Sequence, residues 1–81
     1  MKLEVQLFAR ARDLAGRELV DLELAEGACV GDVRTALADQ VPQLIPLAHR
    51  LLIAVGTHYA DDHVTLDQDD SIACFPPVSG G

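Results

Sequence analysis

Within the 81 residues of this chain, one stretch carries a helical period, and it lies between segments that alternate. Val30, Val33, Leu37 and Val41 recur at three- and four-residue steps, which sets them on a single stripe of a helix that Pro42 terminates. Such a stripe needs a cover, and the flanking sequence supplies a sheet. Over residues 2–10, Leu3, Val5 and Leu7 alternate with Glu4, Gln6 and Phe8; further on, Val20, Leu22 and Leu24 alternate with Asp21 and Glu23. Both patterns describe half-buried strands paired as a hairpin. Residues 11–17, with Asp13 and Gly16, read as the connecting loop, and Glu26-Gly27 as the turn into the helix.

Beyond Pro42, residues 43–50 form a Pro-containing stretch with a short turn of helix. Residues 51–55 are an almost wholly apolar run bounded by Gly56, which suits an interior strand near the sheet centre. Residues 59–66 read either as a weak strand around Val64 to Leu66 or as an ordered loop. The acidic turn 67–70 then leads into a last strand at 71–75. The order β, β, α, β, (β), β with one main helix on one face of a mixed sheet is an α+β roll, the β-grasp architecture. The expected organisation is one domain over residues 1–75 and an extended tail over 76–81, since a chain this short supports a single core.

The tail is the chemically informative end. Pro76 and Pro77 fix φ and lack a backbone N–H, so sheet pairing stops at Phe75 and the remainder projects outward. Six extended residues reach roughly 20 Å, enough to enter a cleft on another protein. Gly80 and Gly81 lack a Cβ, so a Gly-Gly end passes a channel too narrow for side chains and leaves its carbonyl open to attack.

Leu7, Phe8, Ala9, Arg10, Arg12, Leu14 and Gly16 near the start, with the acidic turn leading into Ile72, Phe75, Pro76, Pro77, Val78, Ser79, Gly80 and Gly81, resemble the small subunit of molybdopterin synthase, the MoaD family. The resemblance spans the chain and implies a ubiquitin-like β-grasp fold and a sulfur carrier in molybdenum cofactor biosynthesis. An E1-like, MoeB-like adenylyltransferase would use ATP to adenylate the Gly81 carboxylate, which sulfur delivery would convert to a C-terminal thiocarboxylate. A MoaE-like large subunit would take in the tail, Pro76, Pro77, Val78 and Ser79 included. Sulfur would then pass to cyclic pyranopterin monophosphate within a heterotetramer. In this sulfurtransferase the pterin-binding and catalytic side chains belong to the large subunit, and no cofactor is bound by this chain. The alternatives are a carrier for thiamin thiazole or tRNA thiolation, families that share Gly-Gly but lack the full Phe-Pro-Pro-Val tail, and a ubiquitin-like modifier forming isopeptides.

Docking needs an apolar anchor. By alternation Phe8 lies opposite Leu3, Val5 and Leu7, and Phe75 opposite Ile72 and Cys74, so both rings are expected on the sheet side away from the helix. With Tyr59, the remaining aromatic, they match the family's partner interface, although an aliphatic residue is more usual at the Tyr59 position. Thirteen acidic against six basic side chains give a formal charge of -7, which disfavours nucleic acid and favours a partner with a basic face. No apolar run approaches the roughly 20 residues of a membrane span and no signal-peptide pattern opens the chain, so the expected location is cytoplasmic. Cys29 and Cys74 lack metal or redox spacing and read as structural thiols. His49, His58 and His63 read as solvated, and Asp61, Asp62, Asp67, Asp69 and Asp70, without an EF-hand's glycine and glutamate, as a solvated or docking face.

Overall fold

A computed structural model describes residues 1–77. Five strands form one mixed sheet in the order β2-β1-β5-β3-β4, with β1 Lys2–Leu7, β2 Leu19–Glu23, β3 Leu52–Val55, β4 His58–Tyr59 and β5 Ile72–Phe75. β1 and β2 pair antiparallel, β5 lies parallel to β1, and β3 runs antiparallel to both β5 and β4. Helix α2 (Val30–Gln40) covers one sheet face, as the stripe requires: Val30, Val33 and Leu37 are wholly buried and Val41 nearly so. They meet Leu3, Val5, Leu7, Val20, Leu22, Ile53, Ile72 and Cys74 from the sheet. Among the described residues no polar or charged residue is buried.

Three local readings are corrected. The 11–17 segment is helix rather than loop: α1 spans Ala9–Ala15, buries Ala11 and packs on β5. Its Ala, Arg and Leu content favours helix, and Gly16 (φ 74) is the left-handed stop whose N–H donates to the Arg12 carbonyl, not a loop glycine. Strand β1 consequently ends at Leu7, short of the expected Arg10. β5 takes the middle of the sheet and β3 the place beside it, because the parallel crossover inserts the last strand between β1 and β3. In the ambiguous stretch, Thr65 makes an isolated bridge to Cys29, and the edge strand is the earlier pair His58–Tyr59. The Pro-containing segment folds as a 3-10 turn, Pro42–Leu44, followed by the short helix α3, Ile45–Ala48.

Arg34, on α2, ties these connections together. Its Nη1 donates to the carbonyls of Ala48 (2.7 Å) and Leu51 (2.8 Å), while Nε and Nη2 donate to Asp62 Oδ1 at 3.2 and 2.9 Å. The side chain is largely buried, at 16% exposure. No spacing rule points to it, because its partners lie 14 to 28 residues away and two of them are backbone.

Candidate functional site

The root of the tail is an interior strand of the sheet. β5 is bonded on both sides, by β1 and β3, with Ile72 and Cys74 buried beneath it and Ala73 and Phe75 on the open face. The parallel register pairs Leu7 with Cys74, so the next residues, Phe8 and Phe75, fall side by side. Phe8 N–H donates to the Cys74 carbonyl at 3.1 Å, and the Phe8 carbonyl accepts from Ala11 and Arg12 at the start of α1. Ala9 turns the chain there with φ 51, the one described non-glycine in the left-handed region.

This arrangement stacks the two phenylalanines, with centroids 4.6 Å apart and planes 8° from parallel. Tyr59 stands edge-on to Phe75 at 6.1 Å and 74°. It is brought there by the tight β3–β4 hairpin, in which Gly56 takes φ 64 and Ala54 faces Tyr59. Phe8, Ala54, Gly56, Tyr59, Ala73 and Phe75 line a shallow cleft of about 260 Å³. Phe8 and Phe75 are half-buried, chiefly on the open face, and Tyr59 is 68% exposed. Leu52, paired with Phe75 across the ladder, extends the apolar face. Pro76 and Pro77 follow Phe75 with partly buried rings, and β5 ends where they begin. Val78, Ser79, Gly80 and Gly81 lie outside the described residues.

The remaining candidates resolve into local roles. Burial pushes the Cys74 thiol up to about 12, with the Arg34 charge pulling the other way, which makes it a poor nucleophile. Cys29 precedes α2; its N–H and Sγ both donate to Asp32 Oδ2, at 2.9 and 3.4 Å. Both thiols are free. His49, His58 and His63 are exposed. Among the acidic residues, Asp61 accepts from the His63 N–H, Asp70 accepts from the Asp67 N–H, and Asp62 holds Arg34. Three of these carboxylates therefore fasten turns or Arg34. Among the described residues no helix is long and apolar enough to cross a membrane.

The family model described as the ThiS family matches residues 5–81, nearly the whole chain. The chain belongs to the ThiS family. It is similar to the molybdopterin synthase sulfur carrier subunit of Arabidopsis thaliana, 30% identical over 100% of this chain and 84% of that protein. Among solved structures, SAMP1 of Haloferax volcanii, a small archaeal modifier protein, is 28% identical with both chains fully covered and a TM-score of 0.87. A putative molybdopterin converting factor subunit 1 from Pyrococcus furiosus is 30% identical, covering 96% of this chain and 99% of its own, at a TM-score of 0.85. The ubiquitin-like β-grasp architecture read from the sequence is thus the observed one.

Proposed function

We propose that this ThiS-family chain is the sulfur carrier subunit of a molybdopterin synthase. The observation that carries the reading is the stacked Phe8–Phe75 pair at the root of a Pro76-Pro77 segment whose sequence ends in Gly80-Gly81. The sulfur carrier subunits among its relatives support the choice of pathway. A free carboxylate is a poor acyl donor. A MoeB-like enzyme would transfer AMP from ATP to the Gly81 carboxylate, releasing pyrophosphate. Sulfide would expel AMP and leave a thiocarboxylate directly, whereas a persulfide would expel AMP to form an acyl disulfide that a thiol reductant then cleaves to the thiocarboxylate, the thiol being oxidised to a disulfide. The aromatic face formed by Phe8, Tyr59 and Phe75 would seat on a MoaE-like large subunit, and the glycine terminus would deliver sulfur there to cyclic pyranopterin monophosphate. In this role the chain's own task is positioning, with the pterin-binding groups on the large subunit.

A second reading, a protein modifier conjugated through Gly81, is favoured by the likeness to the archaeal modifier protein. Intact mass separates the two. Incubation with a MoeB-like enzyme, ATP and a sulfur source should add about 16 Da, the exchange of one oxygen for sulfur, and the product should yield molybdopterin with the large subunit and its pterin precursor. Deleting Gly80 and Gly81 should abolish both results while leaving the melting temperature unchanged. Denaturation-resistant adducts to lysine, with no gain of sulfur, would overturn the carrier reading.

A further inference from the structure

Among the described residues no strand pairs with the edge of the sheet away from β4, and that edge borders a groove that shares no residue with the aromatic cleft. The Leu7 N–H donates to the Glu18 carbonyl and the Leu24 N–H to the Met1 carbonyl. Because bonded pairs in an antiparallel ladder recur every second residue, Val20 and Leu22 also face β1, and Leu19, Asp21 and Glu23 turn their backbone groups outward. Among the described residues only Gln40 meets this edge, its Nε2 donating to the Asp21 carbonyl at 2.9 Å.

Next to the end of β2 lies a groove of about 550 Å³. Its far wall is Asp32, Thr35, Ala36 and Asp39, which recur at i, i+3, i+4 and i+7 and therefore share one face of α2. Small side chains at the middle of that face leave room, and Leu24, Ala25 and Ala28 give the floor an apolar character. Glu23 and Glu26 complete a rim of four carboxylates, and among the described residues no basic side chain lines the groove.

We propose that the β2 edge and this groove form a second docking site, for an extended partner segment in which apolar residues alternate with lysine or arginine. An open edge recruits an added strand through main-chain bonds, while alternate side chains enter the neighbouring pocket and set specificity. Five residues of β2 span roughly 17 Å, the length of a five-residue segment. The sign of the rim selects the occupant. A second copy of this chain pairing edge to edge would bring Asp21 and Glu23 against its own carboxylates, which a basic segment would instead neutralise.

The test is an NMR titration of the isotope-labelled full chain with acetyl-Lys-Val-Lys-Val-Lys-Val-amide, and in parallel with the same peptide carrying glutamate for lysine. The basic peptide should shift the amides of Leu19, Asp21, Glu23 and Ala36. The acidic peptide and the Glu26→Lys/Asp39→Lys variant should each bind at least about tenfold more weakly. Gln40→Ala, which frees the Asp21 carbonyl, should tighten binding about threefold. Spectra of both variants report whether the fold is intact. Absence of shifts, shifts centred on Phe75, equal affinity for the two peptides, or indifference to the charge reversal would each overturn the proposal.

Discussion

Replacing Phe8 and Phe75 by alanine, singly and together, isolates the contact on which the site is built. The rings stack at 4.6 Å with planes 8° apart, a geometry worth about 0.5–1.5 kcal/mol beyond area burial. Each is half-buried, so a single truncation should cost about 1–2 kcal/mol, well below the 3–5 kcal/mol of a fully enclosed phenylalanine. Once one ring is gone the other has lost its partner, and the double variant should fall short of the summed losses by about 1 kcal/mol. In a domain of this size each kcal/mol lowers Tm by about 4–8 °C, and urea unfolding followed by circular dichroism resolves the difference. Additivity within about 0.3 kcal/mol would refute the stack, and single losses of 3–5 kcal/mol would place the rings in the core. The same variants, titrated against a MoaE-like subunit, should each weaken binding by about 1 kcal/mol or more. Lost stability with unchanged binding would refute the docking role.

Arg34→Met should destabilise by about 2 kcal/mol or more, because it strips the Ala48 and Leu51 carbonyls of their donor; a loss within 0.5 kcal/mol, on the scale of an exposed ion pair, would show the network to be ornamental. Ala9→Gly should raise stability by up to about 1 kcal/mol in urea unfolding, since φ 51 strains a Cβ, and a loss would mean that the residue is unstrained. The Cys74 thiol sits near 12 when folded against an ordinary 9.0, so the folded chain retains its proton longer. Its contribution is present below pH 9 and falls away between pH 9 and 12, by up to about 1.4 kcal/mol per pH unit, and Cys74→Ala should remove that slope in unfolding measured across the window. Finally, with -7 formal charge, association with the large subunit should slow as salt rises while dissociation changes little; a flat stopped-flow association rate from 0.01 to 0.15 M would assign the acidic excess to solubility.

The parts of the fold that local patterns govern were legible. The α2 stripe and its Pro42 stop followed from period, and so did the face assignments of β1, β2 and β5. What sequence could not reveal depends on distant partners. The central place of β5 arises from parallel pairing with a strand 67 residues earlier, a contact with no local trace. The α1 helix was hidden for another reason: Asp13 and Gly16 are turn residues and helix-end residues alike, and only the burial of Ala11 against the core decides between them. The site divides along the same line. Opposite parity put Phe8 and Phe75 on the open face, but their stacking requires the Leu7–Cys74 register, and the Tyr59 contact requires the hairpin at Gly56.

Phe75 joins two jobs that need not coincide, and their coincidence has a physical consequence for the proposed role. It is the last residue of β5 and half of the aromatic stack, so a partner that seats the ring also fixes the origin of the tail. Because six extended residues reach roughly 20 Å, a partner that seats the ring would need its channel to end within that distance of Phe75. Pro76 and Pro77 narrow the direction of departure by fixing φ at the first two residues after the ring. Anchoring the ring at the end of a strand bonded along both edges resists displacement of that origin, since Phe75 itself pairs with Leu52 of β3 and the preceding residue, Cys74, pairs with Leu7 of β1 and accepts from the Phe8 N–H.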